Sequence, residues 1–269
     1  MYLADYHTHS SVSHDGRLSM AELAEDYIAA GFDEVCFTDH VDIVDWRTGE
    51  RYPDFHWDEM RRQFREAQET AGDRIRLRLG MELGDAEWDT DHAKALTAPA
   101  PELDFVIGSA HMLSEKFGSV DMIGFFPESE TEARAAVLDS LEQNLKLARW
   151  GQFSVLGHLT LPLRYLREEH QIPATFDGFE KEIGEIFEIL IANGCGIELN
   201  TNRGHLPLPD AKWLKMYREL GGEIITLGTD AHRPIDLGCA IRERQNLLKE
   251  CGFTKFCTFE KMKPIWHDL

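Results

Sequence analysis

Seven short apolar segments alternate along the chain with amphipathic stretches of helical period. The apolar segments are rich in β-branched and aromatic residues and occupy residues 2–7, 34–40, 75–83, 104–111, 153–158, 196–201 and 223–232. The helices predicted between them occupy residues 19–30, 58–71, 131–149, 177–193, 210–220 and 237–251. This alternation predicts an α/β fold in which crossover helices join parallel strands. Seven strands suit a closed or nearly closed barrel better than an open sheet.

Residues typical of helix ends support the predicted bounds of the helices. Ser19, followed three residues later by Glu22, predicts a capping box, and Asp58 and Thr131 are predicted N-caps. Glycine is the residue that most often follows a helix, and it stands at or just after five of the predicted ends: Gly31, Gly72, Gly194, Gly221 and Gly252.

Every predicted strand ends in a side chain that can bind a metal or a proton. In parallel βα folds the carboxyl ends of the strands meet on one face, where active sites form. Seven distant segments therefore deliver imidazole, carboxylate and amide groups to one rim. In chain order these residues are His7 with His9, His40, Glu82, His111, His158, Asn200, and Asp230 with His232.

Imidazole and carboxylate groups together suit Zn, Mn or Fe. Residues two apart in a strand point to the same face, so His7 and His9 can share one ion, as can Asp230 and His232. With Asp15, preferred here over His14, the candidate ligands outnumber what one ion uses, which indicates two or three ions and a bridging carboxylate. Any one such histidine is more often structural, but seven consecutive strands ending this way by chance is far less probable. The nine candidates are His7, His9, Asp15, His40, Glu82, His111, His158, Asp230 and His232.

Length, composition and missing motifs restrict the class of protein. A chain of 269 residues suits one α/β barrel domain, and its formal net charge of −20 disfavours binding to a long nucleic-acid backbone. No apolar run approaches the ~20 residues of a membrane span. The five scattered cysteines and the absence of a basic leader segment predict a cytoplasmic protein with reduced thiols. Phosphate-binding glycine loops, the serine nucleophile elbow and the H-E-x-x-H zinc motif are all absent.

The ordered motifs H-x-H, S-H-D-G, T-D-H, G-x-E, S-x-H, G-H and G-T-D-A-H resemble the PHP (polymerase and histidinol phosphatase) family. The resemblance extends from His7 to His232, and stretches such as DYHTHSSVSHDG and GGEIITLGTDAH are most similar to the stand-alone histidinol-phosphate phosphatases of that family. It implies that residues 1–269 form a single-domain, distorted (β/α)7 barrel, with a trinuclear metal centre at the C-terminal strand ends. The related amidohydrolases are a poorer match, because their carbamylated lysine on strand four is absent.

The same resemblance implies a role for each ligand. One metal takes His7, His9, Glu82 and Asp230; a second shares Glu82 and takes His111 and His158. The third takes Asp15, His40 and His232. We assign direct catalytic roles to Glu82, Asp230 and His232, and either His205 or His232 as the proton donor to the leaving alkoxide.

The expected activity is metal-dependent hydrolysis of L-histidinol phosphate, a small phosphorylated substrate, by in-line attack of a metal-bridging hydroxide. Arg164, Arg203 and His205 are the predicted substrate-binding residues, because arginine forms bidentate contacts with phosphate and similar positions in the resembling phosphatases carry arginine. Two alternatives are a PHP-type phosphodiesterase or exonuclease acting on nucleotides or nucleic-acid ends, and a metal-stabilised binding module without activity. Neither a membrane nor a nucleic acid is an expected partner, and the oligomeric state stays open.

Two loops are expected to recognise the alcohol half of the substrate, at residues 41–56 and 113–127. Their aromatic residues could surround an imidazole, although buried packing is the more usual role of such side chains. The candidates are Trp46, Phe55, Phe125 and Phe126.

Overall fold

The computed structural model describes residues 1–45 and 47–269, so Trp46 lies outside the described residues. The strands are β1 (Ala4–Thr8), β2 (Glu34–Phe37), β3 (His40–Asp42), β4 (Arg76–Gly84), β5 (Phe105–Ser109), β6 (Val155–Leu156), β7 (Gly196–Asn200), β8 (Ile225–Gly228), β9 (Lys255–Glu260) and β10 (Lys263–Asp268). The α-helices are α1 (Met20–Ala29), α2 (Trp57–Ala71), α3 (Thr90–Thr97), α4 (Glu130–Trp150), α5 (Glu180–Asn193), α6 (Ala211–Glu219) and α7 (Ile241–Glu250).

Seven of the strands form one parallel sheet in the order β1-β2-β4-β5-β6-β7-β8. The two edge strands meet where the Asp230 amide donates to the His7 carbonyl at 2.7 Å and the His9 amide donates to the Ala231 carbonyl at 3.0 Å. Thr8 and Ala231 form a further parallel bridge at this seam. The sheet is therefore a nearly closed barrel, and the prediction of seven parallel strands is confirmed.

The second predicted strand is divided in two. β2 ends at Phe37, and after two residues β3 begins at His40 and pairs in parallel with β4, placing His40 opposite Glu82. The interruption brings Asp39 inward, where it is fully buried. A single strand predicted over 34–40 is therefore wrong in detail, because polar contacts of Asp39 replace continuous pairing.

The helix ends follow local hydrogen bonding more than apolar periodicity. Ser19 forms the predicted capping box with Glu22. The N-caps predicted at Asp58 and Thr131 are wrong. α4 begins at Glu130 because the Ser129 hydroxyl accepts from the Glu132 amide at 3.2 Å, and α2 begins at Trp57 without a side-chain cap.

A hairpin of β9 and β10 covers the end of the barrel opposite the ligand-bearing rim, and it was not predicted. Phe259 packs its ring 5.0 Å from that of Phe105, and its backbone exchanges hydrogen bonds with the Tyr6 hydroxyl at 2.8 and 2.9 Å. The Tyr6 hydroxyl also donates to Glu34, which is buried. The hairpin thus closes the floor of the barrel with apolar packing.

Two further unpredicted elements lie near the rim. The short helix α3 follows β4, and a π-helical turn (Leu163–Glu169) follows β6. Within residues 1–45 and 47–269, no helix combines the length and apolar character needed to cross a membrane.

Candidate metal centre

Glu82 lies in the middle of the rim, and its two carboxylate oxygens face different histidines. Oε2 is 3.2 Å from His7 Nε2 and 3.5 Å from His9 Nε2, and it also lies 2.9 Å from His40 Nδ1. Oε1 is 2.9 Å from His158 Nε2 and 3.2 Å from His111 Nε2. The side chain is fully buried, so one carboxylate connects two histidine pairs away from bulk water.

Asp230 completes the first of these groups. Its Oδ1 lies 3.5 Å from His7 Nε2 and 3.3 Å from His9 Nε2. β8 has already ended at Gly228, and Asp230 itself has a left-handed backbone with φ 58°. The expectation that Asp230 and His232 share a face through strand alternation is therefore wrong, since the loop conformation directs both side chains.

A third group lies nearer to solvent. His232 Nε2 is 3.1 Å from Asp15 Oδ2 and 3.4 Å from His40 Nε2. The exposed fraction of the side chain rises from 0% at Glu82 to 12% at His40, 25% at His232 and 43% at Asp15. The ring centroid of His14 lies 5.5 Å from that of His40, whereas Asp15 Oδ2 lies 3.9 Å from His40 Nε2. The structure thus brings all nine predicted ligands together in three adjoining groups.

Unpaired buried atoms show that this donor set fits cations. Among the residues that the structure describes, His7 Nε2, His9 Nε2 and Glu82 Oε2 are buried without a hydrogen-bond partner. Leaving such atoms unpaired is costly, and a bound cation would satisfy all three. Four triplets of donors lie within 4.8 Å of one another and could hold an ion: His9, His40, His232; His7, His9, Asp230; His7, Glu82, His158; and His40, Asp42, His111.

Glu198 on β7 orients two of the histidines from below. Its Oε1 accepts from His7 Nδ1 at 2.6 Å, and its Oε2 accepts from the His158 amide at 2.8 Å. Because His7 Nδ1 is engaged in this way, the lone pair of Nε2 faces the site, as in most histidine metal ligands. The sequence analysis gave Glu198 no role, and the available signal was its position two residues before Asn200, in a strand ending in Glu-Leu-Asn.

Asp39, which is buried, organises the first loop. It accepts hydrogen bonds from the Ser10 amide at 2.6 Å and from the Ser13 hydroxyl at 2.8 Å. Ser13 Oγ in turn lies 3.2 Å from His9 Nδ1. On the last loop, His232 Nδ1 lies 2.9 Å from the Asp230 carbonyl oxygen, which leaves Nε2 to face Asp15.

Burial and charge set the pKa values of the central groups in opposite directions. Burial raises the pKa of the Glu82 carboxyl, but the adjacent charges of His7 and His40 outweigh it and hold that pKa well below its usual range. Burial lowers the pKa of His7, but its carboxylate neighbours raise it well above normal. Burial and the charge of His232 hold the pKa of His9 well below normal. The raised pKa favours the protonated form of His7 in the metal-free protein, and a cation bound at Nε2 would displace that proton.

A cavity of about 480 Å³ opens above the ligands. Its wall combines ligands, three arginines, five further carboxylates and a few apolar side chains. The lining residues are His14, Asp15, His40, Asp42, Val44, Glu82, Asp85, His111, Asp121, Ile123, His158, Leu161, Arg164, Tyr165, Glu169, Arg203, Asp230, His232, Arg233 and Asp236.

The structure separates the three predicted substrate-binding residues. Arg164 is buried in the wall and donates to Asp230 Oδ2 at 2.6 Å, to Asn202 Oδ1 at 2.8 Å and to Asn200 Oδ1 at 3.1 Å. Arg203 is exposed and lines the cavity. His205 is exposed and is not among the described residues that line the cavity. Its backbone carbonyl accepts from Arg244 of α7. The cavity lining gives no support to a substrate contact by His205, and that contact stays a prediction.

The aromatic residues expected around the alcohol half pack elsewhere. Phe55 contacts Trp57 at a ring separation of 4.6 Å, Phe125 contacts another phenylalanine at 5.5 Å, and Phe126 contacts His170 at 4.1 Å. None of the three lines the cavity, and Trp46 lies outside the described residues. The apolar surface of the described cavity wall comes instead from Val44, Ile123, Leu161 and Tyr165.

A family model for the PHP domain matches residues 5–202, most of the chain. The chain belongs to the PHP domain family. Among its relatives, the histidinol-phosphatase of Lactococcus lactis is 28% identical over 272 residues, covering 96% of this chain and 95% of that protein. The probable histidinol-phosphatase of Thermotoga maritima is 28% identical over 255 residues, covering 93% of each protein.

Solved structures match the fold over nearly the whole chain. The histidinol phosphate phosphatase of Lactococcus lactis, crystallised with Zn, L-histidinol and phosphate, superimposes with a TM-score of 0.81 at 24% identity, covering 98% of each chain. The putative histidinol phosphatase of Listeria monocytogenes gives a TM-score of 0.69 at 15% identity, covering 89% of this chain and 99% of that one. Similarity at this level of identity shows the fold, and the distorted barrel implied by the resemblance is confirmed.

Proposed function

We propose that this protein is a metal-dependent phosphomonoesterase that hydrolyses L-histidinol phosphate to L-histidinol and phosphate. The observation that carries the proposal is Glu82, whose two oxygens face two histidine pairs beneath a cavity lined by Arg164 and Arg203. Such a carboxylate suits a pair of adjacent cations, and adjacent cations suit phosphate-ester hydrolysis. The names of the relatives, and the L-histidinol and phosphate bound by the Lactococcus lactis enzyme, support the substrate.

We assign three divalent ions to the centre, of Zn, Mn or Fe. The first would bind the group around His7 and Asp230, and the second would bind Glu82 Oε1 with His111 and His158. The third would bind the outer group of Asp15, His40 and His232. Bound ions of this kind acidify water and offset the charge of phosphate oxygens.

The protein's own groups then position the reactants. Glu82 fixes the spacing between the two inner donor groups. Asp230, held at Oδ2 by Arg164, would accept a hydrogen bond from the attacking hydroxide and so orient it. His232 would face the leaving alcohol from the more exposed side of the site. Arg203 would bind phosphate oxygens from the cavity wall.

The charge of the cavity wall favours a cationic alcohol over a nucleotide. Besides the predicted ligands, the described part of the wall carries Asp42, Asp85, Asp121, Glu169 and Asp236, and it adds Arg233 to the two arginines already described. Histidinol phosphate carries an amine and an imidazole, which such carboxylates attract. An oligonucleotide carries further phosphate groups beside the one that reacts, and the same carboxylates would repel them. No feature of the cavity favours the phosphodiesterase alternative.

We also propose that residues 1–269 form one domain and that the protein works in the cytoplasm. All five cysteines are free thiols and four of them are buried, which agrees with a reducing compartment.

The proposal is tested by measuring phosphate release from a panel of esters. The panel contains histidinol phosphate, sugar phosphates, p-nitrophenyl phosphate, bis(p-nitrophenyl) phosphate and short oligonucleotides. We expect the highest kcat/KM for histidinol phosphate and little activity on the diesters. A preference for the diesters would reverse the assignment.

Arg203→Ala tests the phosphate contact directly. Loss of a charge-assisted contact should raise KM for histidinol phosphate by about tenfold or more and also lower kcat. Arg167→Ala is the matched control, because Arg167 is exposed in the neighbouring π-helical turn and does not line the cavity. Unchanged kinetics in Arg203→Ala would remove Arg203 from the site.

A further inference from the structure

We propose that Glu168 is a positioning residue, which holds the loop of residues 201–206 so that Arg203 reaches the cavity. This inference rests on the proposed function, in which Arg203 binds the substrate phosphate. Glu168 itself is not among the described residues that line the cavity, whereas its neighbour Glu169 is. Its effect on the substrate must therefore pass through the loop.

The contacts of Glu168 reach both ends of the loop. Its carboxylate accepts from Asn202 Nδ2 at 3.1 and 3.0 Å and from the Leu206 amide at 3.3 Å. Asn202 Nδ2 also donates to the Leu206 carbonyl at 2.8 Å, so the ends are tied to each other as well. Glu168 therefore fixes the residue before Arg203 and the residue that closes the turn.

The loop needs such support because its backbone is strained. Asn202 and Arg203 have φ values of 49° and 54°, so two consecutive residues with side chains occupy the left-handed region. That region is unfavourable for non-glycine residues and persists only where surrounding contacts hold it. Without Glu168 the loop would relax towards ordinary backbone angles, and Arg203 would leave the cavity wall.

The π-helical turn joins this loop to the metal centre. Leu163–Glu169 carries both Arg164 and Glu168, and its wide turn is closed by a bond from the His170 amide to the Tyr165 carbonyl at 2.9 Å. Asn202, which is 1% exposed, accepts from Arg164 through Oδ1 and donates to Glu168 through Nδ2. Asp230, Arg164, Asn202 and Glu168 thus form one chain of contacts from the ligands to the proposed phosphate-binding loop, and the first three of these residues are buried.

A double-mutant cycle with histidinol phosphate and the metal-loaded enzyme tests the proposal. In an otherwise wild-type background, Glu168→Ala should raise KM, and the inhibition constant of inorganic phosphate, by about tenfold. In an Arg203→Ala background, the same change should add less than about twofold, because the residue acts through Arg203. Glu168→Gln keeps one acceptor oxygen, so its KM and its inhibition constant for phosphate should lie between those of Glu168→Ala and wild type. Arg167→Ala serves as the control. Equal effects of Glu168→Ala in both backgrounds would overturn the proposal.

A second measurement does not need activity. Trypsin can cleave after Arg203 only when the loop opens, so mass spectrometry of the fragment beginning at Gly204 reports loop order. Glu168→Ala should speed this cleavage several-fold, Glu168→Gln less so, and Arg167→Ala should match wild type. Unchanged cleavage in Glu168→Ala would contradict the positioning role. If wild type hydrolyses none of the esters, the proposed function fails, but the cleavage rates still decide whether Glu168 holds the loop.

Discussion

Glu82 is the residue on which two donor groups of the site depend. Replacing it by glutamine keeps the shape but removes the charge, so the two inner groups would lose their shared anionic donor. We expect Glu82→Gln to lower kcat/KM by about 100-fold or more and to reduce the bound metal measured by mass spectrometry.

Glu87→Gln is the matched control for that substitution. Burial and the charge of Asp85 raise the pKa of the Glu87 carboxyl well above normal, which favours its neutral form. It is also outside the cavity wall. An equal loss of metal in both variants would show that replacing any buried carboxyl lowers the metal content, and that Glu82 does not act as a specific ligand.

His40 gives the metal-free protein a specific pH dependence. Burial alone would lower its pKa, but the carboxylates of Glu82 and Asp42 outweigh it and raise the pKa of His40 from 6.5 to about 10. A raised pKa in the folded state stabilises the fold fully below pH 6.5, and this contribution disappears as the pH rises towards 10. The urea midpoint of chelator-treated protein should therefore fall over that range, and the fall should be smaller in His40→Asn. A midpoint that rises with pH in the wild type would contradict this.

At the residue scale, motifs predicted the candidate metal ligands but not the carboxylates that orient them. His7, Glu82 and Asp230 stand at strand ends in recognisable order, and a pattern of residue types is enough to find them. Glu198 and Asp39 were not assigned roles, because a carboxylate that orients a metal ligand stands at no fixed distance from that ligand in the sequence. Only the packed fold shows that Glu198 reaches both His7 and His158.

At the element scale, the barrel was predictable because each strand is a short apolar run followed by a polar end. The predicted ends of helices and strands were wrong where local hydrogen bonds, rather than the periodicity of apolar residues, decide where an element begins or ends. Ser129 takes the cap predicted for Thr131, and Asp39 interrupts the strand predicted over 34–40. The hairpin of β9 and β10 went unpredicted because it carries none of the strand-end ligands that marked the other strands.

We expect a substitution in the hairpin of β9 and β10 to lower the stability of the protein without changing its catalytic rate. Phe259 is 2% exposed and packs at the floor of the barrel, on the face opposite the ligands. Phe259→Ala should lower the free energy of unfolding by about 3–5 kcal/mol. At a temperature where the variant is folded, its kcat should stay within about twofold of wild type, because distant sites act independently.

The control for this variant is Trp266→Ala on the same hairpin. Trp266 is 41% exposed, so its removal should change the unfolding free energy by less than about 1 kcal/mol. Urea unfolding and initial rates on histidinol phosphate measure the two properties separately. A folded Phe259→Ala protein without activity would mean that the floor and the rim are coupled.

At the scale of the whole molecule, charge and metal content are linked. A protein of net charge −20 would repel a phosphate dianion unless positive charge is concentrated at the site. Arg203 supplies one such charge, but Arg164 is largely neutralised by its short contact with Asp230. Cations held by the three donor groups would supply the rest, so both activity and stability should depend on them.

Removing metal should therefore lower activity and stability together. Ions that bind only the folded state at about 100 times their dissociation constant contribute about 2.7 kcal/mol, which corresponds to a Tm change of about 5–10 °C for a chain of this size. Chelation should produce this fall in Tm and abolish phosphate release, and added Zn or Mn should restore both. In Glu82→Gln the fall on chelation should be smaller, because fewer ions are bound at the start. A chelated wild-type protein with unchanged Tm and undiminished turnover would mean that the buried nitrogen and oxygen atoms around Glu82 have a purely structural role.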